Sequence, residues 1–322
     1  MDKSTWTDIY NRMITIRKFE EKAQTLFSQG KLAGFLHLYI GEEAVAAGVC
    51  AALNDEDYIV STHRGHGHLI AKGGDVNRIM AELYGKITGY CKGKGGSMHV
   101  ADFSKGMLGA CGIVGGGIPI AVGAALSSKL RGTRQVAVSF FGDGASNEGS
   151  FHESVNFAAV QKLPVIFLVE NNRYGEFTPQ HRAMRVEDIS SRAAGYGIPG
   201  VVVDGMDAAE VYKVTRKWVE KLRNGEGPVI IEAKTHRKCG HSEGETVFLD
   251  GQKYRLAEEE KNAIKIDPIE NLRTYILEQG VVSEQELDEL EKETQQKIED
   301  AVTFAQNSPF PEKEELYTDT WV

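Results

Sequence analysis

The sequence predicts an α/β fold, a mostly parallel sheet with helices on both faces. Three observations carry this. Two nearly continuous apolar runs, "QVAVSFF" (135–141) and "LPVIFLVE" (163–170), have the composition of strands buried on both faces. A helix-length segment, 148–162, separates them, so together they read as a βαβ unit with a right-handed crossover. The alternation then repeats, with a strand at 200–205, a helix near 207–223 and a strand at 228–237.

The remaining elements follow in chain order. Trp6, Ile9, Met13 and Ile16 recur at helical spacing, so residues 5–28 read as an amphipathic helix. Residues 42–52 read as a short buried helix, and 58–68 as a strand that ends in a cluster of Arg and His. Between 85 and 123 there are twelve glycines in 39 residues, which marks loops and close backbone approach. Interleaved Met98, Met107, Leu108, Ile113 and Val114 set this stretch apart from a polar linker. Near the end, Ser283 and Glu286 form a capping box, and Leu287, Leu290, Ile298 and Val302 follow on one stripe. Length alone allows one large α/β domain or two smaller ones; read as one domain, residues 1–322 have a helical arm over about 1–30 and a helical tail over about 268–322.

Bulk properties narrow the function. The 322 residues are 41% hydrophobic with a net charge of −9, which argues against nucleic acid or anionic membrane as the main partner. Cys50, Cys91, Cys111 and Cys239 show neither a CxxC pair nor metal-ligand spacing, and read as reduced thiols of a cytoplasmic protein. No apolar run approaches membrane-spanning length, and the N-terminus lacks an apolar signal core.

The chemistry concentrates at "SFFGDGASNEG" (139–149). Parallel strands deliver their C-terminal ends to one sheet edge, where open α/β sheets bind ligands. There the first strand ends at Asp143, between Gly142 and Gly144, and the second at Asn171-Asn172. A carboxylate and an amide oxygen brought together suit Mg²⁺, whose remaining positions phosphate oxygens can fill. The glycines let backbone N–H groups approach a diphosphate at a helix N-terminus. The other reading is a pair of tight turns with Asp143 as an N-cap.

The pattern of "GDG" followed after a helix by "ENN" resembles the thiamine-diphosphate motif. Along nearly its whole length the chain is similar to the α subunit of the thiamine-dependent first component of 2-oxo acid dehydrogenase complexes. The resemblance rests on "GFLHLYIGEEAVAAG" (34–48), "STHRGHGH" (61–68), "GKGGSMH" (93–99), "GIVGGGIPIAVGAA" (112–125), "GDGASNEGSFHESVNFAA" (142–159), "ENNRYGEFTP" (170–179) and "THRKCGHSEG" (235–244). It implies the thiamine-diphosphate-binding fold, with thiamine diphosphate and Mg²⁺ as cofactors. Asp143, Asn172 and the Tyr174 carbonyl would hold the metal. Arg64, Gly144 and Ala145 would hold the diphosphate, with His63 where many relatives carry a tyrosine. The backbone of Gly112 and Val114 would meet the aminopyrimidine ring. It further implies a β subunit that supplies the glutamate activating the cofactor, an α₂β₂ heterotetramer, and a lipoyl acyltransferase as acceptor. The stretch 107–125 is the candidate for part of the β contact.

The histidines divide similarly. His63, His66 and His68 could form a metal site, but Arg64 among them favours an anion site. The resemblance makes His66 a catalytic histidine beside the substrate carbonyl; His68 reads as a packing or helix-surface residue. The segment 235–255 is polar and punctuated by glycine, as in a solvated connection. The resemblance makes it a cofactor-ordered loop over about 238–252, in which His241 protonates or orients the reacting carbonyl. The loop reads His241-Ser242-Glu243-Gly244-Glu245, where pyruvate and branched-chain relatives have His-Ser-x-Ser-Asp. That departure puts regulation by phosphorylation in doubt and is similar to the acetoin-cleaving branch. The expected function is therefore acetoin cleavage. The alternatives are oxidative decarboxylation of pyruvate or a branched-chain 2-oxo acid, acyl or ketol transfer in biosynthesis, and a non-catalytic assembly subunit.

Overall fold

The computed structural model describes residues 1–249 and 253–319. Six strands form one parallel sheet: β1 (Tyr58–Ser61), β2 (Met107–Ala110), β3 (Ala137–Gly142), β4 (Val165–Asn171), β7 (Gly200–Asp204) and β8 (Val229–Lys234). Their spatial order is β2-β1-β3-β4-β8-β7, and a two-stranded hairpin, β5 (Tyr174–Gly175) with β6 (Thr178–Pro179), stands apart. The helices are α1 (Lys3–Ser28), α2 (Glu43–Ala51), α3 (Gly65–Ala71), α4 (Val76–Leu83), α5 (Gly117–Arg131) and α6 (Gly149–Gln161), then α7 (Gln180–Ala183), α8 (Ala208–Arg223), α9 (Thr246–Leu249), α10 (Ala257–Ile264), α11 (Pro268–Glu278) and α12 (Glu284–Asn307).

Alternation along the central strands sorts side chains to two cores. Val138, Phe140, Ile166, Leu168 and Ile231 face a core built with α1 to α4, α8 and α12. Ala137, Phe141, Phe167, Val169 and Ile230 face the other, built with α5 and α6. This double burial explains why β3 and β4 read as unbroken apolar runs. The α1 arm and α12 tail pack on the first core through Ile16, Phe19, Ile298 and Val302. The Ser283–Glu286 capping box forms at the start of α12.

Two expectations are corrected. The glycine-rich stretch is not loop throughout: it contains β2 and the first half of α5. A four-residue edge strand holding Gly109 has too little apolar pattern to stand out from its flanks. The expected loop 238–252 includes the short helix α9 at Thr246–Leu249, while its residues 250–252 lie outside the described residues.

Register places the site. Gly142 of β3 pairs with Glu170 of β4, and Asn171 with Lys234 of β8. The segments after β1, β3, β4 and β8 thus leave the same sheet edge. The chain turns to β2 on one side of β1 and to β3 on the other, so a topological switch point lies between β1 and β3.

Candidate active site

A cavity of about 370 Å³ opens at this edge. Its lining includes His63, Arg64, Gly112, Val114, Asp143, Gly144, Ala145, Asn172, Tyr174 and His241. All the residues expected to bind cofactor or metal, and one expected catalytic histidine, therefore share one wall system. His66 does not join them; it is fully buried behind the wall.

Asp143 begins a short 3-10 turn but makes no side-chain capping bond, so the N-cap reading fails. The carboxyl is 2% exposed, and burial raises its pKa to about 6. A buried carboxylate facing a cavity without a cap to make is suited to a cation. Asn172 lies opposite: its Nδ2 donates to Glu42 Oε1 at 3.1 Å, which fixes the amide so that Oδ1 faces Tyr174. Asn171 has another job, donating to Glu232 Oε1 at 2.7 Å inside the fold. At Gly144 and Gly175 the two strand-end loops meet so closely that a Cβ on either would lie 3.2–3.3 Å from the other's Cα. The result is a cradle lined by a carboxylate and a side-chain amide, hard oxygen donors of the kind that Mg²⁺ takes.

Two guanidiniums face the cavity. Arg64 donates from Nη1 to Leu38 O at 2.7 Å and from Nη2 to His241 O at 2.8 Å. Burial and the nearby Arg237 lower its pKa to about 10, which leaves it charged. Arg237 is 2% exposed and its Nε has no partner among the described residues. Buried like charges of this kind call for an anion.

Three imidazoles gather beside them. The ring centres of His37, His63 and His241 lie 4.6–5.2 Å apart, and their ligand nitrogens within 4.8 Å. His63 thus clusters with His37 and His241, not with its sequence neighbours His66 and His68. Burial and then Arg64 lower His37 to about 3 and His241 to about 2, and hold His63 well below the usual imidazole range. The field that keeps these rings neutral also opposes a bound cation, so the cluster is better suited to an anionic ligand. Because Arg64 can only donate, its 3.5 Å contact with His241 Nδ1 leaves the proton on Nε2. His241 is then a neutral hydrogen-bond donor rather than the acid expected from an ordinary imidazole.

His68 is fully buried, not on a helix surface. Its Nδ1 lies 2.7 Å from Ser61 Oγ and its Nε2 3.0 Å from Glu170 Oε1, a carboxylate that also receives Tyr39. Burial and then Glu170 raise the pKa of Glu42, its neighbour in the cavity lining.

The 235–245 segment is held rather than solvated. Lys238 N donates to Ile40 O at 3.0 Å, Glu243 N to Leu36 O at 2.8 Å, and Arg255 to the carbonyls of Arg237 and Cys239. Gly41, at φ +103°, allows this approach: a Cβ there would lie 2.3 Å from His236 O.

Sequence reasoning missed His37, Glu42, Glu170 and Arg237 as lining residues. The motifs holding them were visible, but no spacing rule links His37 to His241 across some two hundred residues.

The α subunit of acetoin:2,6-dichlorophenolindophenol oxidoreductase from Bacillus subtilis (strain 168) is 51% identical over all of this chain and 94% of its own length. The protein of the same name from Cupriavidus necator is 48% identical, over all of this chain and 96% of its own. The pyruvate dehydrogenase E1 component subunit alpha of Rhizobium meliloti (strain 1021) is 44% identical, over 96% of this chain and 88% of its own. Residues 11–314 match the family described as dehydrogenase E1 component, and the chain belongs to that family.

Proposed function

We propose that this chain is the α subunit of a thiamine-diphosphate-dependent acetoin dehydrogenase that works with a β subunit. The observation that carries the reading is the cavity itself: two buried guanidiniums, the Asp143 carboxylate and the Asn172 amide line one cavity at the switch point of a parallel sheet. That combination is suited to a diphosphate bridged by Mg²⁺. Asp143, Asn172 Oδ1 and the Tyr174 carbonyl hold the metal. Arg64, His63 and Arg237 face the diphosphate with the backbone of Gly144 and Ala145, and Gly112 and Val114 flank the ring. The bound cofactor supplies a nucleophilic carbon for the substrate carbonyl.

His241 Nε2–H donates to the carbonyl oxygen as it gains charge, and Arg64 fixes that tautomer. In acetoin the bond between the carbonyl and carbinol carbons would break, its electron pair taken up by the bound cofactor; the carbinol hydroxyl would give its proton to solvent and that half would leave as acetaldehyde. The carbonyl half would pass as an acetyl group to the lipoyl disulfide of an acyltransferase, the disulfide taking up two electrons, or would leave as acetate with water added when a dye takes them. The acetoin assignment draws on the 51% and 48% identical relatives and on "GHSEGE" in the 235–245 segment.

The open side of the cavity supports a β partner. Ile113 and Val114 line it and are 73% and 58% exposed; Ile120, Phe157 and Val160 continue an apolar face over α5 and α6. A β subunit seated there would close the cavity to water and could bring the activating glutamate, in an α₂β₂ assembly. The reading of the chain as one domain is supported by the arm and the tail, which pack on one core. No described helix is long and apolar enough to cross a membrane, and the four cysteines are free, which fits the cytoplasm.

The test is dye reduction by the chain co-expressed with its β partner, given thiamine diphosphate and Mg²⁺, with acetoin and pyruvate compared. Acetoin turnover is expected. Turnover of pyruvate alone would favour the decarboxylating relatives, and turnover of neither would remove the enzymatic reading.

A further inference from the structure

Both ring nitrogens of His66 are committed. Nδ1 lies 3.2 Å from Glu20 Oε2 and Nε2 lies 3.0 Å from Ser97 Oγ. Glu20 and His66 are fully buried. A carboxylate only accepts, so the ring carries a proton on Nδ1, which leaves Nε2 to accept from the Ser97 hydroxyl in that tautomer.

The three residues come from separate parts of the chain: Glu20 from α1, His66 from the first turn of α3, and Ser97 from the glycine-rich stretch. The middle and one end of the chain of bonds sit one step from the cavity. His63 and Arg64 immediately precede α3, and Met98, next to Ser97, lines the wall. Glu20 Oε1 has no partner among the described residues. Burying a carboxylate with half its acceptors unused is costly, so Glu20 is best explained by its bond to His66. One turn further along α1, Gln24 donates to Glu243 Oε1 at 3.2 Å, two residues from His241.

We propose that Glu20, His66 and Ser97 form a buried positioning relay that sets the spacing between the His63–Arg64 corner and the Met98 wall. The proposal rests on the reading of the cavity as the cofactor site. It makes His66 a positioning residue, not one that touches the substrate.

The test uses the complex with the β subunit and the variants Glu20→Gln, His66→Gln, Ser97→Ala and the double Glu20→Gln/Ser97→Ala. Each single change should raise the thiamine diphosphate Kd and the KM for acetoin about tenfold, with kcat within about threefold. The double variant should be no worse than the worse single one, because one broken link already frees the relay. A collapse of kcat at unchanged KM and Kd would make His66 catalytic and overturn the proposal. So would additive effects, or a lower Tm with unchanged Kd and KM. Histidine-selective ¹⁵N NMR of the full chain without cofactor gives an independent readout. His66 should be the Nδ1–H tautomer and should lose that preference in Glu20→Leu. A mixed tautomer in the parent chain would overturn the relay. Failure of the parent complex to bind thiamine diphosphate would instead overturn the cofactor reading.

Discussion

Arg237 brings the site's logic to a single residue. A guanidinium 2% exposed, donating from Nη2 to Tyr254 but with Nε unpartnered among the described residues and Arg64 nearby, is suited to an anion. Arg237→Met should therefore weaken thiamine diphosphate binding by about tenfold to a hundredfold, while the apo chain keeps or gains stability; calorimetry and a melt check both halves. The imidazoles set a pH dependence. His37, His241 and His236 have folded pKa values of about 3, 2 and 4, and His63 is also lowered, burial being the main cause in each. The unfolded chain charges these rings near pH ~6.5. It therefore binds more protons below that value, and apo stability falls on acidification. Asp143 and Glu42, both raised by burial, act the other way, stabilising at low pH. Burial also raises Glu43 and Glu243 and lowers His152, so five lowered imidazoles stand against four raised carboxyls, and the urea midpoint should drop between about pH 7 and pH 5. His37→Gln should flatten that slope; an unchanged slope would count against a buried neutral His37.

At the scale of elements, the glycine-rich stretch is ordered by one carboxylate. Glu82, fully buried on α4, accepts from the backbone N–H groups of Cys91, Gly93, Gly95 and Gly96 at 2.8–3.0 Å. Glu82→Ala should cost about 3–5 kcal/mol by denaturant unfolding; a loss under about 1 kcal/mol would show that the loop holds itself. This staple was not legible in the sequence, because nothing in a helical glutamate announces four distant partners. The central strands were legible, since burial on both faces writes itself as unbroken apolar runs. So was the meeting of the segments that carry Asp143 and Asn172, because the two strands of one βαβ unit are parallel and end at the same sheet edge. The three-histidine cluster was not: His37 sits in an irregular segment, and only packing brings it to His63 and His241. His66 was misplaced for the same reason, as sequence shows a histidine near a strand end but not which side of the wall it takes.

For the whole molecule, Ile113 and Val114 are exposed and line the cavity, and α5 and α6 carry the further exposed apolar side chains Ile120, Phe157 and Val160, so with the proposed β contact there assembly and catalysis should fail together. Phe157→Glu, at a side chain 44% exposed, should abolish co-purification with the β subunit and leave the Tm of the chain unchanged. Retained co-purification would move the interface elsewhere. The central claim is that this cavity holds a metal-bridged diphosphate. It is tested most directly by titrating thiamine diphosphate, with and without Mg²⁺, into the co-expressed complex and its Asn172→Ala variant by calorimetry. The account predicts Mg²⁺-dependent binding to the parent complex and an affinity at least about tenfold weaker in the variant. Equal affinity in the two, or binding indifferent to Mg²⁺, would contradict it.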